Sequence, residues 1–556
     1  MVVLYLLSGL ALLIILFIAF YAIVVIKVPP NVPGLDLSDY SIKKNGDISR
    51  IGKNWLTKNK WGLYEMYIEG PPFERGVANG RLAEKLIYTQ EKIFVAEIKK
   101  IITNNFYLGF LKYIVAWINR KLKFHIGEEY NMEIYGVSLS ASKDFRLIGP
   151  NYMRMLNYHA AHDIGHMLQD MNLVGCSSFA ALGNRTADGK IIHARNFDFY
   201  VGDEFCKEKI VTFYAPEKGY KFVMITWGAL IGTVSGMNMN GLAITVNAAK
   251  SKLPVKTTTP VTILIREMLQ YAATIDEVID IARKRKISVS ESFMVSSGPE
   301  QRVVIIEKTP YRTEIFDPGT DQIICTNHFQ SEALKDDALN LQQIAESASM
   351  YRYQRLEELL ERFPKITVQS AVEILRDRLG MHDEPIGDGN EKTLNQLLAH
   401  HSIVFNPNDL KMWISAGPFG LGAFICYDLR TVFEKDGAVD ENTVIINEHE
   451  TIAADDFLNN GGFKRFEKFK EIKDTLANVA SDGAVPLSMI DDLVALNPSY
   501  FLTYSIGGDF LKRKHHYEKA VELYQTALQK EIPTLKEREV IRKNLDHCMK
   551  KLAQHN

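Results

Sequence analysis

The chain lacks any marked excess of charge. Its 65 Lys and Arg face 67 Asp and Glu, a net charge of −2 over 556 residues. No basic patch interleaved with aromatics occurs, so nothing points to a nucleic-acid surface. Cysteine is scarce and odd in number: Cys176, Cys206, Cys325, Cys426 and Cys548. Their spacing suits neither a zinc site nor a dense disulfide scaffold. One reactive thiol among buried ones is the economical reading. The HExxH pattern is also missing. His159, His162 and His166, with Asp163 beside them, stand at helical spacing, but they read as a polar helix face or pocket lining before a metal site.

One stretch lacks charge altogether. Val2 to Ile26 carries no charged side chain, and Lys27 with Pro29 and Pro30 ends the run. At about 1.5 Å per residue it is long enough to cross a hydrocarbon core of about 30 Å. A basic start, a short apolar core and a small-x-small cleavage site, the marks of a signal peptide, are absent. The expectation is a single-pass membrane anchor over residues 1–27. Charge bias across it is weak, and the globular part is expected outside the cytoplasm.

What is present concentrates in Gly175 to Tyr200, GCSSFAALGNRTADGKIIHARNFDFY. A short apolar strand, Ser178 to Leu182, leads through Asn184, Asp188 and Gly189 into a second strand, Ile191 to Phe197. Antiparallel pairing of such a hairpin can bring Cys176, Arg195 and Asp198 together. A thiol at a strand start, flanked by a fixed cation and anion, suggests covalent catalysis. A structural Cys in an ordinary hairpin is the plain alternative. If the chain is cut before Cys176, that residue gains a free α-amino group. Its unperturbed pKa of about 7.7–8.0 lets it serve as base for its own thiol.

This segment resembles the active-site start of the acyl-coenzyme A:6-aminopenicillanate acyltransferase-like family of N-terminal nucleophile cysteine hydrolases. That family is related to choloylglycine hydrolases, acid ceramidase and N-acylethanolamine acid amidase. Further resemblances run in order along the chain. They are IEGPPFERGVANGRLAEKLI (Ile68 to Ile87), SGMNMNGLAITVNA (Ser235 to Ala248), CTNHF (Cys325 to Phe329), SMYRYQRLEELL (Ser349 to Leu360) and HSIVFNPNDLKMWISAGP (His401 to Pro418). Coverage is roughly Tyr64 to Leu429. The turn between Cys176 and Arg195 is a few residues longer than in the ceramidase branch.

The resemblance and the chemistry together assign roles. Cys176 would attack an amide or ester carbonyl and carry the acyl group as a thioester. Asp198 would orient the new α-amino group and favour its protonated form. Arg195 would hold the thiolate or a polar group of the substrate, its charge favouring the thiolate. By family position, Asn247 and Asn327 would supply the oxyanion donors. A turn residue is the other reading of Asn247. Arg352 resembles the distal Arg of the bile-salt hydrolase branch; a solvated Arg paired with Glu357 is the alternative. The family's self-cleavage implies an α-chain ending at Gly175, whose missing Cβ suits a strained N-to-S acyl shift, and a β-chain starting at Cys176. No cofactor and no metal is implied.

The implied fold is α+β, a four-layer αββα sandwich with an N-terminal transmembrane helix and a C-terminal helical appendage. The expected divisions are a linker over 28–63, a helical α-chain region over 64–175, a catalytic β-chain domain over 176–447 and a helical region over 448–556. Within the last, Gly508, Ala520, Tyr524 and Ala527 are spaced as in one tetratricopeptide-like repeat near 497–530, a surface for a protein partner or self-association. The expected function is a self-processing cysteine amidohydrolase or acyltransferase acting on an N-acyl compound, a lipid amide being suited to an anchored enzyme. Two alternatives stand beside it. One is an inert anchored scaffold that binds a partner through its C-terminal helices; the other is a lysophospholipase-like esterase.

Overall fold

The computed structural model describes residues 2–101, 104–161, 163, 175–199, 202, 204, 207–252, 254, 258–434, 445–479 and 485–555. His162, His166 and Cys206 lie outside them. Two sheets organise the described chain. The first has eleven strands, starting with the short strands Lys43–Asn45, Ile48–Ile51 and Asn54–Lys58. It continues through Tyr64–Gly70, Ile210–Pro216, Phe222–Thr226, Ser235–Asn238 and Leu242–Ala248 to Glu291–Ser297, Arg302–Lys308 and Thr313–Phe316. Its neighbours pair antiparallel except Tyr64–Gly70 with Ile210–Pro216, which are parallel. The second, of seven strands, runs Gln322–Cys325, Ser177–Ala181, Ile192–Phe197, His401–Asn406, Lys411–Ser415, Phe424–Asp428 and Ile446–Ile452.

Strand periodicity explains how the sheets stack. Ile210, Tyr214, Phe222 and Met224 belong to one buried cluster, while Val211, Phe213, Val223 and Ile225 belong to another. Alternate residues of one strand face opposite sides, so both faces of the first sheet are covered. Its inner cluster also holds Ile403, Phe405, Met412 and Ile414 of the second sheet, and the two sheets share that core. The outer cluster of the first sheet takes in the helices Pro72–Leu82, Glu128–Ser138, Val261–Tyr271 and Ile275–Lys284. The last starts at a capping box, Thr274 with Glu277. On the far side of the second sheet, Phe179, Ala194, Val404 and Trp413 pack on Ser349–Arg362 and Val368–Leu375.

Three expectations change. The segment expected as a linker carries the first three strands, and the region expected as helical opens with Tyr64–Gly70 inside the first sheet. Ile446–Ile452 continues the second sheet across the expected boundary at 448. The C-terminal helices Gly462–Asn478, Ser488–Leu496, Phe501–Arg513, Tyr517–Leu528 and Leu535–His555 build their own core, but that core includes Leu397 and Leu421 from the body. They are therefore packed onto it. Gly508 meets the Tyr524 ring so closely that a Cβ would lie 2.7 Å from it. At the other end, Val2–Phe20 and the turn Tyr21–Val25 form the single helix long and apolar enough to cross a membrane among the described residues.

Candidate active site

The hairpin forms with strands Ser177–Ala181 and Ile192–Phe197, each one residue off the expected start. Ser178 stands opposite Arg195 and Ser177 opposite Asn196. Just beyond the ladder, the Gly175 N–H donates to the Asp198 carbonyl at 3.1 Å, and the Cys176 thiol lies 3.6 Å from the same oxygen. Cys176, Arg195 and Asp198 are all buried. The register brings them together as the sequence predicts.

Arg195 is fixed by its surroundings. One Nη1 donates to the Val234 carbonyl at 3.0 Å and to Ser235 Oγ at 2.7 Å. Nη2 donates to the Val246 carbonyl and stands 3.8 Å from Cys176 Sγ. The guanidinium also covers the Phe197 ring at 4.4 Å, a favourable cation–π arrangement. Such a planar fork, held at several points, keeps its charge beside the sulfur without relying on a flexible chain.

Electrostatics modifies one expectation. Burial pushes the Cys176 thiol above its ordinary pKa, with Arg195 pulling down and Asp198 pushing up. Arg195 therefore does not produce a thiolate in the uncut chain, because desolvation of the sulfur outweighs the nearby cation. Asp198 is pushed up to about 7, again by burial, against the pull of Arg352 and Arg195. Neither carboxylate oxygen has a hydrogen-bond partner among the described residues. Burying a carboxylate without such partners is costly.

The two asparagines are strand and strand-end residues with committed amides. Asn247 sits in Leu242–Ala248, so the turn reading falls. Its Nδ2 donates to the Cys325 and Thr326 carbonyls at 2.9 and 3.3 Å, and its Oδ1 accepts from Ser178 Oγ at 3.0 Å. Asn327 Nδ2 donates to the Ala248 carbonyl at 2.9 Å. Both tie the two sheets together, and in this state neither amide is turned to the Cys176 thiol. Arg352 is buried, in place of the solvated pairing with Glu357. Its Nη1 donates to the Cys176 carbonyl at 2.6 Å and Ser177 Oγ at 2.9 Å, and Nη2 to Asn327 Oδ1 at 2.8 Å.

Gly175 also differs from expectation in its reason. Its φ is not in the left-handed region; a Cβ there would meet the side-chain amide of Gln396 at 2.4–2.8 Å and displace it. Gln396 Nε2 donates to the Gly175 carbonyl at 2.7 Å. The sequence reading missed this residue, since it lies 221 positions away in an irregular loop. His159 is a structural residue: Nδ1 contacts the Met155 carbonyl at 2.7 Å, and Nε2 accepts the Ile231 N–H at 3.0 Å. An 870 Å³ cavity lies away from all these residues, between Arg376, Arg378, Asp455, Arg465 and Asn497. Arg378 already faces Asp388 and Asp455 there, at 3.6 and 3.5 Å.

With this geometry in view, comparison with known proteins is informative. The family model described as acyl-coenzyme A:6-aminopenicillanic acid acyl-transferase matches residues 184–420. Over that stretch the chain is similar to this family. The match begins after Cys176 and contains Arg195, Asp198, Asn247, Asn327, Arg352 and Gln396. An uncharacterised protein of Archaeoglobus fulgidus is 23% identical over 415 residues, 68% of this chain and 67% of that one. An N-acylethanolamine-hydrolyzing acid amidase of Caenorhabditis elegans is 24% identical over 245 residues, 42% of this chain and 63% of its own length. The chain thus spans about two thirds of the length of these curated relatives. Among solved structures, the C. elegans ortholog of N-acylethanolamine-hydrolyzing acid amidase aligns at 19% identity with a TM-score of 0.31, over 42% of this chain and 93% of its own. A mutant conjugated bile acid hydrolase of Clostridium perfringens aligns at 12% identity and 0.29, over 43% and 89%.

Proposed function

We propose that this chain is a self-processing cysteine amidohydrolase or acyltransferase, built on a four-layer αββα sandwich, that cleaves the amide bond of an N-acyl compound. One observation carries the reading: a buried thiol, a fixed guanidinium and a carboxylate without a partner meet at the Gly175–Cys176 peptide. Cleavage there would give Cys176 an α-amino group, and a nearby ammonium would relieve the strain on Asp198 and lower its pKa.

Catalysis would then follow from the chain's own groups. The α-amine takes the thiol proton as sulfur adds to the acyl carbonyl. The tetrahedral adduct collapses, the C–N bond breaks, and the proton passes to the departing amine. Water or a second amine then attacks the thioester, returning the thiol and releasing an acid or a new amide. Asn247, Asn327 and Arg352 surround this point through Cys325, Thr326 and Cys176 and would frame the acyl group after cleavage.

The uncharged N-terminal span supports a membrane anchor, with the catalytic part outside the cytoplasm. Such an anchor suits a lipid amide, which partitions into the bilayer, and the amidase relative acts, by its name, on N-acylethanolamines. The paired helices Phe501–Arg513 and Tyr517–Leu528 support one tetratricopeptide-like unit. Intact-mass measurement of the 176–556 chain, quenched during turnover of an N-acylethanolamine, tests the reaction. A hydroxylamine-labile acyl adduct, absent in Cys176→Ala, is expected, and an added amine nucleophile should divert acyl groups if transfer occurs. Turnover that leaves no adduct and persists in Cys176→Ala would contradict the mechanism.

A further inference from the structure

The carbonyls of Gly175 and Cys176 are both held by side-chain donors. Arg352 Nη1 donates to the Cys176 oxygen at 2.6 Å, and Gln396 Nε2 donates to the Gly175 oxygen at 2.7 Å. The Gly175 carbonyl is the group the thiol would attack if the chain cleaves itself. Its oxygen gains negative charge as sulfur adds, and a donor already in place is worth most there. Asn247 and Asn327 direct their amides elsewhere in the uncut chain, Asn247 to the Cys325 and Thr326 carbonyls and Asn327 to the Ala248 carbonyl.

We propose that Gln396 is the oxyanion donor for self-cleavage at Gly175–Cys176. The inference rests on the self-processing reading and goes beyond it by assigning a catalytic residue to that step. The Cys176 sulfur forms a bond to the Gly175 carbonyl carbon, and the oxygen becomes an alkoxide held by the Gln396 N–H. The C–N bond then breaks, and the nitrogen takes up the thiol proton and becomes the free α-amine. Water hydrolyses the resulting thioester, leaving a carboxylate on Gly175 and restoring the thiol. A neutral amide suits this task, as it stabilises the alkoxide without trapping the carboxylate product as an ion pair.

The loop that carries Gln396 is held from the C-terminal side. Leu397 has φ of +53°, a conformation that a β-carbon-bearing residue keeps only where its surroundings over-determine it. Its N–H donates to Asn395 Oδ1 at 3.0 Å, and its side chain belongs to the core of the C-terminal helices. Asn497 Nδ2 donates to the Asp388 carbonyl at 2.9 Å, Tyr500 Oη to the Gly389 carbonyl at 2.9 Å, and Asn390 Nδ2 to the Glu531 carbonyl at 2.9 Å. Through these contacts the C-terminal helices brace the loop that delivers Gln396.

The test follows the appearance of a Cys176 N-terminus with time in freshly synthesised full-length chain. Wild type, Gln396→Ala, Gln396→Glu and Cys176→Ala are compared across pH. Gln396→Ala should slow cleavage by about 10²–10³-fold while unfolding at the same temperature as uncut Cys176→Ala. Gln396→Glu should be slow at neutral pH, where a carboxylate repels the alkoxide. Relative to wild type at each pH, it should recover as its carboxyl becomes protonated and able to donate. A residue with only a structural role gives no such recovery. Wild type that cleaves beside a Gln396→Ala chain cleaving equally fast overturns this proposal alone. Wild type that never cleaves overturns the self-processing reading with it. Should Gln396→Ala fail to fold, a flat pH ratio for Gln396→Glu overturns the proposal.

Discussion

Burial holds the Cys176 thiol protonated in the uncut chain although Arg195 Nη2 lies 3.8 Å away, so the reaction needs a base beside the cation. Asp198 is pushed up to about 7 by burial. Its unfolded value is about 3.9. Between about pH 4 and 7 the folded chain therefore binds a proton that the unfolded chain has released. Its contribution to stability is then lost as pH rises through that window. Urea unfolding of Cys176→Ala against the double variant Cys176→Ala with Asp198→Asn checks this. The balance should move in favour of the Asn chain as pH rises from about 4 to 7, and be flat above. A constant difference would contradict the assignment. These residues were legible in the sequence because one short hairpin carries all three. Gln396 was not, since its role depends on a loop conformation that no local pattern encodes.

At the scale of elements, close helix packing sets the outer layer of the first sheet. A Cβ on Gly76 would lie 2.2 Å from the Glu133 carbonyl oxygen, and one on Gly136 would lie 2.6 Å from backbone atoms of Phe73 and Val77. The helices Pro72–Leu82 and Glu128–Ser138 thus touch backbone to backbone, and a buried ion cluster crosses them. Glu133 takes Arg75 Nε at 2.6 Å and Arg266 Nη2 at 3.1 Å. Burial alone would raise its pKa, but the two guanidiniums outweigh it and hold the carboxyl below its usual value. Glu133→Ala should cost about 3–5 kcal/mol, because it strands the buried Arg266 and leaves Arg75 with Glu129 alone. Chemical unfolding of uncut protein measures this, and a loss under about 1 kcal/mol would contradict it. The strands over 43–58 escaped the sequence reading because they are short and partly exposed. Their signal was nonetheless present: Gly46–Asp47 turns between the first two, with Gly46 at φ +55°.

Taken whole, the molecule joins its sequence-distant parts at one peptide. The hairpin supplies Cys176, Arg195 and Asp198, and the helix Ser349–Arg362 supplies Arg352. A loop braced by the C-terminal helices supplies Gln396. The mixture of helices and strands was legible from the run of elements together with the family resemblance. The bracing was not, because the helices beyond 461 read alone as an appendage, and their packing on Leu397 and Leu421 and their hydrogen bonds to residues 388–390 join residues far apart in the chain. The central claim is that the uncut chain is a precursor. Intact-mass and N-terminal analysis of purified wild type beside Cys176→Ala tests it most directly. The account predicts a new N-terminus at Cys176 in wild type and an intact chain in the variant. Wild type that stays uncut at mildly acidic and neutral pH would contradict it, and would favour a scaffold whose hydrolase fold is inert.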